Sequence, residues 1–390
     1  TLFLRGNTPW GTRYKVELNG TRNDLENGGN AISGSAITRN VIEITQPLLK
    51  GFGYNDNYAA VGLAKNNHKM ATYDFSQAVR ITVQRVVNAY TDLFAAQEAL
   101  KIAQQSRRLA KRLVDDNKKR VEIGKSAHSD MLRAEASHAR REDNVLLAER
   151  NVRIRMNGLK LLVAEQNGQF LSLILKIQPL QVTPLFQPKV MTDFDYALKH
   201  RPDYQHAKLA INSQETIYQR DKRRNLPQVD LILGYEQIGR SADASFSSAF
   251  DNRIADSNYV ALEFSMPLTN RASQARESVA NVELQRENMR LQQLEQRILV
   301  QLDNAIITAT SNQKRISAAE NALSLAKATL TVEEKKYQVG RSSAFFILDL
   351  QQRLTVAEST KVRVVADYYK SLVSYQFVKG NLLAFYHVSL

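Results

Sequence analysis

The sequence has 390 residues, with 53 lysines and arginines, 39 aspartates and glutamates, and no cysteine. The lack of cysteine excludes a disulfide scaffold, thiol catalysis and cysteine-ligated zinc. The net charge of +14 (53 − 39) invites nucleic-acid binding, but basic residues are spread along the predicted helices with acidic residues between them, so this class is disfavoured.

The 8 prolines leave two long tracts without the strongest helix breaker. These tracts are residues 48–178 and 268–390, which contain 178 − 47 = 131 and 390 − 267 = 123 residues. Tracts of this length favour very long helices over a globular α/β enzyme, which needs frequent turns. No apolar run is long enough for a transmembrane helix. The first residues lack the layout of a signal peptide, so a targeting segment is expected to have been removed.

A first pair of β-strands is predicted within about residues 10–46, because apolar and polar residues alternate there. The apolar positions are Tyr14, Val16, Leu18, Ile42 and Ile44. Pro47 marks the end of the second strand. The segment Gly51–Gly53 lacks the full glycine pattern and the lysine of a phosphate-binding loop, so a strand-to-helix bend is predicted there instead.

A helical hairpin is predicted over about residues 55–166. Its first helix carries apolar residues at alternating steps of 4 and 3, the spacing of a coiled-coil seam. The seam residues are Val79, Val83, Val86, Tyr90 and Leu93. Gly124 then supplies the left-handed residue that ends a helix, and Lys125 follows it. The chain is expected to return from this turn as an antiparallel helix.

The next elements lead to a second strand pair. Residues 167–193 form a proline-containing linker, and a helix is predicted over 194–225. Pro227 marks the passage into the second pair, which is predicted over about 228–266. Its alternating apolar residues are Leu231, Leu233, Tyr235, Leu262, Phe264 and Met266.

A second helical hairpin follows Pro267 and is predicted over about residues 272–384. Its returning helix also carries a coiled-coil seam. The seam residues are Ile347, Leu350, Leu354 and Ala357. Gly340 and Arg341 occupy the turn of this hairpin.

The two halves are predicted to be two copies of one plan. Gly124 and Gly340 lie 340 − 124 = 216 residues apart, and Pro47 and Pro267 lie 267 − 47 = 220 residues apart. The two offsets differ by only four residues, so the spacing between proline and glycine is nearly the same in both halves, which a chance match would not give. The chain therefore reads as an internal two-fold repeat.

On this plan, repeat 1 spans residues 1–166, the linker spans 167–193 and repeat 2 spans 194–390. The helix predicted over 194–225 has no counterpart before the first strand pair. A first helix is therefore expected to be missing from repeat 1.

Four amphipathic strands of about nine residues match the length that crosses an outer membrane when tilted. Four strands cannot close a barrel alone, and an open sheet edge in lipid leaves backbone groups unpaired. Oligomerisation is thus required if the strands are in a membrane. Bacterial barrels start at about eight strands, so two copies are the smallest closure, and three copies would give twelve strands around an open lumen. The alternative is a small soluble sheet that caps a helical bundle.

Three segments resemble the outer membrane efflux protein family, the TolC-like outer membrane factors. They are Tyr337–Gly380, which begins YQVGRSSAFFILDL, His200–Glu236, which begins HRPDYQHAKLAINS, and Ile44–Gly53, which reads ITQPLLKGFG. The resemblance covers essentially all of the chain and includes the repeat.

The resemblance implies a mainly α fold with membrane β-strands. It implies a homotrimer with a twelve-stranded β-barrel in the outer membrane, and an α-barrel of long antiparallel coiled-coil helices in the periplasm. Residues 167–193 would then belong to an equatorial belt. The implied location is the outer membrane of a Gram-negative bacterium, in contact with outer-membrane lipid.

The resemblance further implies a passive exit duct for a tripartite efflux pump or a type I secretion system. The implied partners are a periplasmic adaptor protein and an inner-membrane transporter, with no enzymatic activity, cofactor, metal or nucleic acid. The alternative function is a soluble periplasmic coiled-coil scaffold or adaptor, although adaptors carry one helical hairpin rather than two.

The resemblance also extends to a closed entrance at the periplasmic tip. In the family, a tyrosine before the second-repeat glycine bonds to an aspartate after the first-repeat turn. Tyr337 and Asp130 match these positions, so a hydrogen bond between them is expected to help close the entrance. Alternatively, Tyr337 packs on the coiled-coil seam and Asp130 is an early-turn acid favoured by the helix dipole.

Other tip positions depart from the family pattern. Asp349 matches the second of two acids that form a cation-selecting ring, whereas Phe346 replaces the first. Ser342 replaces a basic residue that braces the entrance. Phe345 and Phe346 suggest an apolar constriction instead, which gates by dewetting. The candidates for adaptor docking are the turn residues Gly124, Lys125, Gly340 and Arg341.

Overall fold

A computed structural model of the chain describes residues 1–23, 34–163, 175, 177–178, 186–243 and 245–389. Most of the linker predicted over 167–193 lies outside the described residues. The chain divides into two compact units. Unit 1 comprises Thr1–Thr72 and His206–Gln293, and unit 2 comprises Tyr73–Gln205 and Leu294–Leu390.

Unit 1 contains a five-stranded antiparallel sheet whose strands follow one another in sequence order. The strands are β1 (Leu2–Asn7), β2 (Arg13–Asn23), β3 (Ser35–Pro47), β4 (Gln228–Ser241) and β5 (Arg253–Ser265). Strands β2 to β5 are the two predicted pairs. The prediction of four strands was wrong by one because β1 breaks the alternation: Phe3 pairs with the charged Glu17, and Gly6 stands at an apolar position.

The register of the strands gives the sheet two unlike faces, because directly opposite residues point to the same side. Two neighbouring apolar rows are Leu4–Val16–Ile42–Tyr235 and Tyr14–Ile44–Leu233–Val260. The row between them, on the other face, is Arg5–Lys15–Glu43–Gly234–Tyr259. One face of the sheet is therefore apolar and the other is polar.

The helices account for most of the chain. They are α1 (Tyr54–Asn57), α2 (Ala59–Glu122), α3 (His128–Val163), α4 (Val190–His200), α5 (Pro202–Arg223), α6 (Phe246–Asp251), α7 (Arg271–Gln338), α8 (Ala344–Lys379) and α9 (Leu382–Phe385). In the described part of the chain, no helix combines the length and the apolar character needed to cross a membrane.

The helix predicted over 194–225 is two helices, α4 and α5. They break at Arg201, whose backbone is extended (φ −78°, ψ 121°). Pro202 causes the break, because the residue before a proline is disfavoured in the helical region. The second hairpin also ends before the predicted residue 384, at Lys379, since Gly380 adopts the left-handed conformation (φ 88°).

A short helix, α6, lies in what was predicted to be a polar loop between the second pair of strands. Its N-terminus is capped by Ser245, whose hydroxyl accepts a hydrogen bond from the amide of Ser248 at 3.4 Å. The hydroxyl of Thr38 on β3 donates to the carbonyl of Ala249 at 3.2 Å. These contacts hold α6 against the sheet.

The two predicted hairpin turns of unit 2 are confirmed. Gly124 (φ 73°) joins α2 to α3, and Gly340 (φ 78°) joins α7 to α8. In each turn, the amide after the glycine donates to a carbonyl in the last helical turn. These bonds run from Lys125 to Arg120 (2.8 Å) and from Arg341 to Lys336 (2.9 Å). This is the Schellman motif, so the two turns share one geometry.

The core of unit 2 includes two apolar clusters. The cluster near the turns consists of Leu113, Val114, Ala134, Tyr337, Ala344 and Ile347. The other consists of Leu302, Ala305, Ile306, Tyr375 and Val378. The predicted seam residues Leu93, Ile347 and Leu354 are all buried.

Candidate functional site

The apolar face of the sheet is exposed, unlike the apolar strand faces of an ordinary soluble domain. Val260 is 74% exposed, and Leu262 and Phe264 are each 67% exposed. Further exposed members of this face are Leu2, Leu4, Tyr14, Ile42, Ile44 and Leu233. An exposed apolar surface of this size marks contact with a membrane or with another protein.

The polar face of the sheet pairs its charges between strands. Arg39 on β3 donates to both carboxylate oxygens of Glu236 on β4, at 2.6 and 3.0 Å. Arg13 on β2 donates to Asp230 on β4 at 2.7 Å. Charge pairs of this kind stay stable in contact with water, so this face is suited to line an aqueous path.

Gly234 allows one of these contacts to reach across a whole strand. The Tyr259 hydroxyl on β5 donates to Glu43 on β3 at 2.8 Å, and β4 lies between them. The tyrosine ring lies over Gly234, where an added Cβ would come within 2.1 Å of the ring. Only glycine at this position leaves room for the ring.

The three prolines that were predicted to mark strand–helix junctions lie at or beside the ends of strands. Pro47 is the last residue of β3, Pro227 directly precedes β4, and Pro267 follows the end of β5. A proline lacks an amide donor, so it suits the end of a strand better than its middle.

The predicted bend at Gly51–Gly53 is confirmed, with φ of 83° at Gly51 and 99° at Gly53. The Gly53 amide donates to the Trp10 carbonyl at 3.1 Å. The Trp10 ring packs edge-on against Tyr54, with centroids 6.5 Å apart. The turn between β1 and β2 is therefore fastened to the start of the helices.

The hydrogen bond predicted between Tyr337 and Asp130 is not the one that Tyr337 makes at the tip of unit 2. The buried Tyr337 hydroxyl donates to the Asn117 side-chain oxygen at 2.9 Å. Asn117 is fully buried, and its amide donates to the Leu113 carbonyl at 2.9 Å. Asn117 lies one helical turn after Leu113, which belongs to the same apolar cluster as Tyr337, so its buried side chain is within reach of the hydroxyl.

Arg120 adds a second link between α2 and the end of α7. Its guanidinium carbon lies 4.3 Å from the centre of the Tyr337 ring. It also donates to the carbonyls of Tyr337 at 3.0 Å and Gln338 at 3.4 Å, where the helix dipole favours a cation. Burial raises the pKa of the Tyr337 hydroxyl, against the opposing charge of Arg120. The hydroxyl therefore stays protonated and able to donate at neutral pH.

Among the described residues, Asp130 forms its hydrogen bond and its ion pair with residues close in the chain, and besides burial its charge also contributes to raising the pKa of the Tyr337 hydroxyl. It accepts a hydrogen bond from the Ser126 hydroxyl at 3.3 Å, and Arg133 lies 4.0 Å away. Both partners are close to it in the chain. The location of Asp130 in the first turn of α3 agrees with the alternative expectation, an acid favoured by the helix dipole.

The predicted constriction residues are exposed. Phe345 and Phe346 are 56% and 55% exposed, and their ring centres lie 5.7 Å apart. Asp349 forms an ion pair with Arg353 on its own helix at 2.8 Å. This pair reduces the negative field that Asp349 would otherwise project.

The four turn residues proposed as docking candidates, Gly124, Lys125, Gly340 and Arg341, are all exposed. Beside the second turn, the Ser342 hydroxyl donates to Glu333 at 2.6 Å. This bond lowers the pKa of the Glu333 carboxyl against the opposing effect of burial, and Lys336 lowers it further. Ser342 therefore braces the turn locally.

The comparison with protein families gives a match over most of the chain. Residues 13–165 and 194–380 match the family model described as outer membrane efflux protein. No curated protein is significantly similar to the chain in sequence.

The fold is similar to that of solved outer-membrane channels. The similarity to the channel OprN has a TM-score of 0.73 at 17% identity, over 96% of this chain and 82% of that chain. The similarity to VceC from Vibrio cholerae has a TM-score of 0.73 at 16% identity, over 94% and 87%. The similarity to the open MtrE channel of Neisseria gonorrhoeae has a TM-score of 0.71 at 18% identity, over 96% and 82%.

Proposed function

The chain belongs to the outer membrane efflux protein family, and we propose that it works as a passive, homotrimeric channel in the outer membrane of a Gram-negative bacterium. It would be the exit duct of a tripartite efflux pump or a type I secretion system. Its partners would be a periplasmic adaptor protein and an inner-membrane transporter. The transporter would supply the energy, so the channel needs no catalytic site.

The observation that carries this proposal is the sheet with one exposed apolar face and one ion-paired polar face. In an outer-membrane barrel, the outward face contacts lipid and the inward face lines water. Strands β2 to β5 have 11, 13, 14 and 13 residues. Each is long enough for a tilted strand to cross the membrane, which takes roughly 9–11 residues.

The edges of the sheet support closure with further copies of the chain. Unpaired backbone groups at an edge in lipid cost several kcal/mol each, so a spanning sheet must close into a barrel. Three copies of β2 to β5 would close it with twelve strands. The shared geometry of the turns at Gly124 and Gly340 supports the repeat plan for the helices of each copy.

We further propose that the contact between Tyr337 and Asn117 closes the entrance. It links the end of α7 to α2 through a buried hydrogen bond, and Arg120 strengthens it. Three copies would hold three such links. Phe345 and Phe346 would then form an apolar constriction, and Asp349 would contribute little to ion selection because of Arg353.

The lipid contact can be tested with a fluorescent reporter, because Trp10 is the sole tryptophan of the chain. In a Trp10→Phe background, Val260→Trp places the reporter on the apolar face and Ile232→Trp places it on the polar face. In vesicles with brominated acyl chains, we expect strong quenching at position 260 and little at position 232. Equal, weak quenching at both positions would contradict the channel and favour the soluble scaffold.

The gate can be tested by recording single channels. Asn117→Ala removes the acceptor of the Tyr337 hydroxyl and should raise the open probability. Asp130→Ala is the matched control, since it leaves the buried bond intact. A larger increase in the Asp130 variant would contradict the role given to Asn117.

A further inference from the structure

We propose that β1 temporarily covers the edge of β2 that, in the assembled protein, pairs with β5 of a second copy of this chain. On assembly, β1 leaves β2 and the partner's β5 replaces it. This inference rests on the trimeric channel proposed above. It adds the surface through which the copies join and the strand that covers this surface beforehand.

The first argument comes from strand direction. Neighbouring strands in the sheet are all antiparallel, so β1, β3 and β5 run one way and β2 and β4 run the other way. A ring that joins β5 to β1 of the next copy would place two parallel strands together and contain an odd number of strands, fifteen. A ring that joins β5 to β2 is antiparallel throughout and contains twelve strands, as bacterial barrels require an even number.

The second argument comes from strand length. β1 has 6 residues, whereas β5 has 13. β1 pairs with Arg13–Leu18, six of the 11 residues of β2. β5 is long enough to pair along the whole of β2.

The third argument comes from how weakly β1 is held. Leu2, Phe3 and Leu4 are 70%, 57% and 64% exposed, so β1 buries little apolar surface. Its ladder to β2 is its main attachment. Exchange for β5 replaces the ladder of 6 residues by one that can extend along all 11 residues of β2, and the added backbone hydrogen bonds favour the exchange. The turn at Trp10 stays fastened through the Gly53 amide and can act as the hinge.

Covering the β2 edge also has a use before assembly. An exposed strand edge pairs readily with other chains and promotes aggregation. A short strand that is easily displaced protects the edge and still allows the correct partner to enter. This role explains why β1 breaks the alternation that the four longer strands keep.

The absence of cysteine makes a direct test feasible, because only engineered cysteines can form disulfides. Leu4→Cys with Val16→Cys joins β1 to β2 at directly opposite positions. Ile42→Cys with Tyr235→Cys joins β3 to β4 in the same row and is the matched control. Oligomeric state is measured by native mass spectrometry in detergent, with each full chain refolded oxidised and reduced.

We expect the oxidised β1–β2 chain to remain monomeric and to form trimers after reduction. The β3–β4 chain should form trimers in both states. Leu4→Pro, which weakens the β1 ladder, should speed up trimer formation without changing the final yield. Trimers from the oxidised β1–β2 chain, at the same yield as after reduction, would overturn the proposal. Monomers from every chain, the unsubstituted one included, would instead contradict the trimeric channel, and this inference with it.

Discussion

The sheet of unit 1 and the helical tip of unit 2 place the same kinds of side chain in opposite environments. In the sheet, Val260 and Phe264 are exposed. At the tip, Leu113 and Ile347 are buried. Polar groups are also treated differently: the sheet pairs its charges on an open face, whereas the tip buries the bond between Tyr337 and Asn117.

The two arrangements fit two different solvents. Around Tyr337 the tip follows the ordinary rule for water, with an apolar cluster inside and the buried polar groups of Tyr337 and Asn117 paired. The sheet follows the rule for a barrel in lipid, with apolar residues outside. A charge introduced at an exposed position should therefore be harmful on the apolar face of the sheet and tolerated at the tip.

The largest expected effect is on the apolar face of the sheet. Val260→Lys should destabilise the protein folded in lipid by about 2–4 kcal/mol, because it puts a charge against hydrocarbon. Ile232→Lys, on the polar face, is the control and should have little effect. Folding into vesicles, followed by the shift in gel mobility of unheated samples, measures both. Equal losses would remove the distinction between the two faces.

The next effect is at the buried bond of the tip. Tyr337→Phe leaves the Asn117 side-chain oxygen buried without a donor and should cost about 1–3 kcal/mol. Asp130→Ala should cost less, because its contacts are local and partly exposed. Denaturant unfolding monitored by circular dichroism measures the difference. A greater loss from Asp130→Ala would mean that Asp130, rather than Asn117, stabilises the tip.

A smaller effect is expected from two glycines in unlike environments. Gly234→Ala should displace the Tyr259 ring and cost about 1 kcal/mol through the lost bond to Glu43. Gly158 lies in α3 with no atom close to an added Cβ. Gly158→Ala should therefore stabilise its helix by up to about 1 kcal/mol. Thermal unfolding of both variants is the check, and shifts of the same sign would contradict this account.

The smallest effect concerns pH. The bond from Ser342 holds the pKa of Glu333 below its usual value in the folded protein. A lowered pKa means that this contribution is present above the usual carboxyl pKa of about 4.3 and is lost as the pH falls below it. Ser342→Ala should therefore lower the Tm slightly at neutral pH and not at about pH 3. A difference that grows on acidification would show the opposite sign.

Much of the fold could be predicted because its signals are local. Alternation marked β2 to β5, and the absence of proline marked the long helices. Gly124 and Gly340 marked turns that only a left-handed residue closes easily. In contrast, β1 lacks clean alternation, and α6 consists of a single capped segment within a polar loop. Neither carries a periodic pattern long enough to read.

The candidate site was harder to predict because it depends on contacts between distant segments. Tyr337 was identified from the family pattern, but its partner Asn117 lies 220 residues away in the chain. A signal for Asn117 does exist in the sequence: a polar residue three and four positions after the apolar Val114 and Leu113 stands on the seam side of α2. A buried polar residue on a seam needs a partner, and only the structure shows which one it has.

The central claim is that this chain forms a channel, and a planar-bilayer recording tests it most directly. Detergent-extracted trimers should give stepwise currents, and Asn117→Ala should make the open steps more frequent. Protein that is recovered without detergent as a soluble monomer, and that gives no current steps when added to the bilayer, would contradict the account.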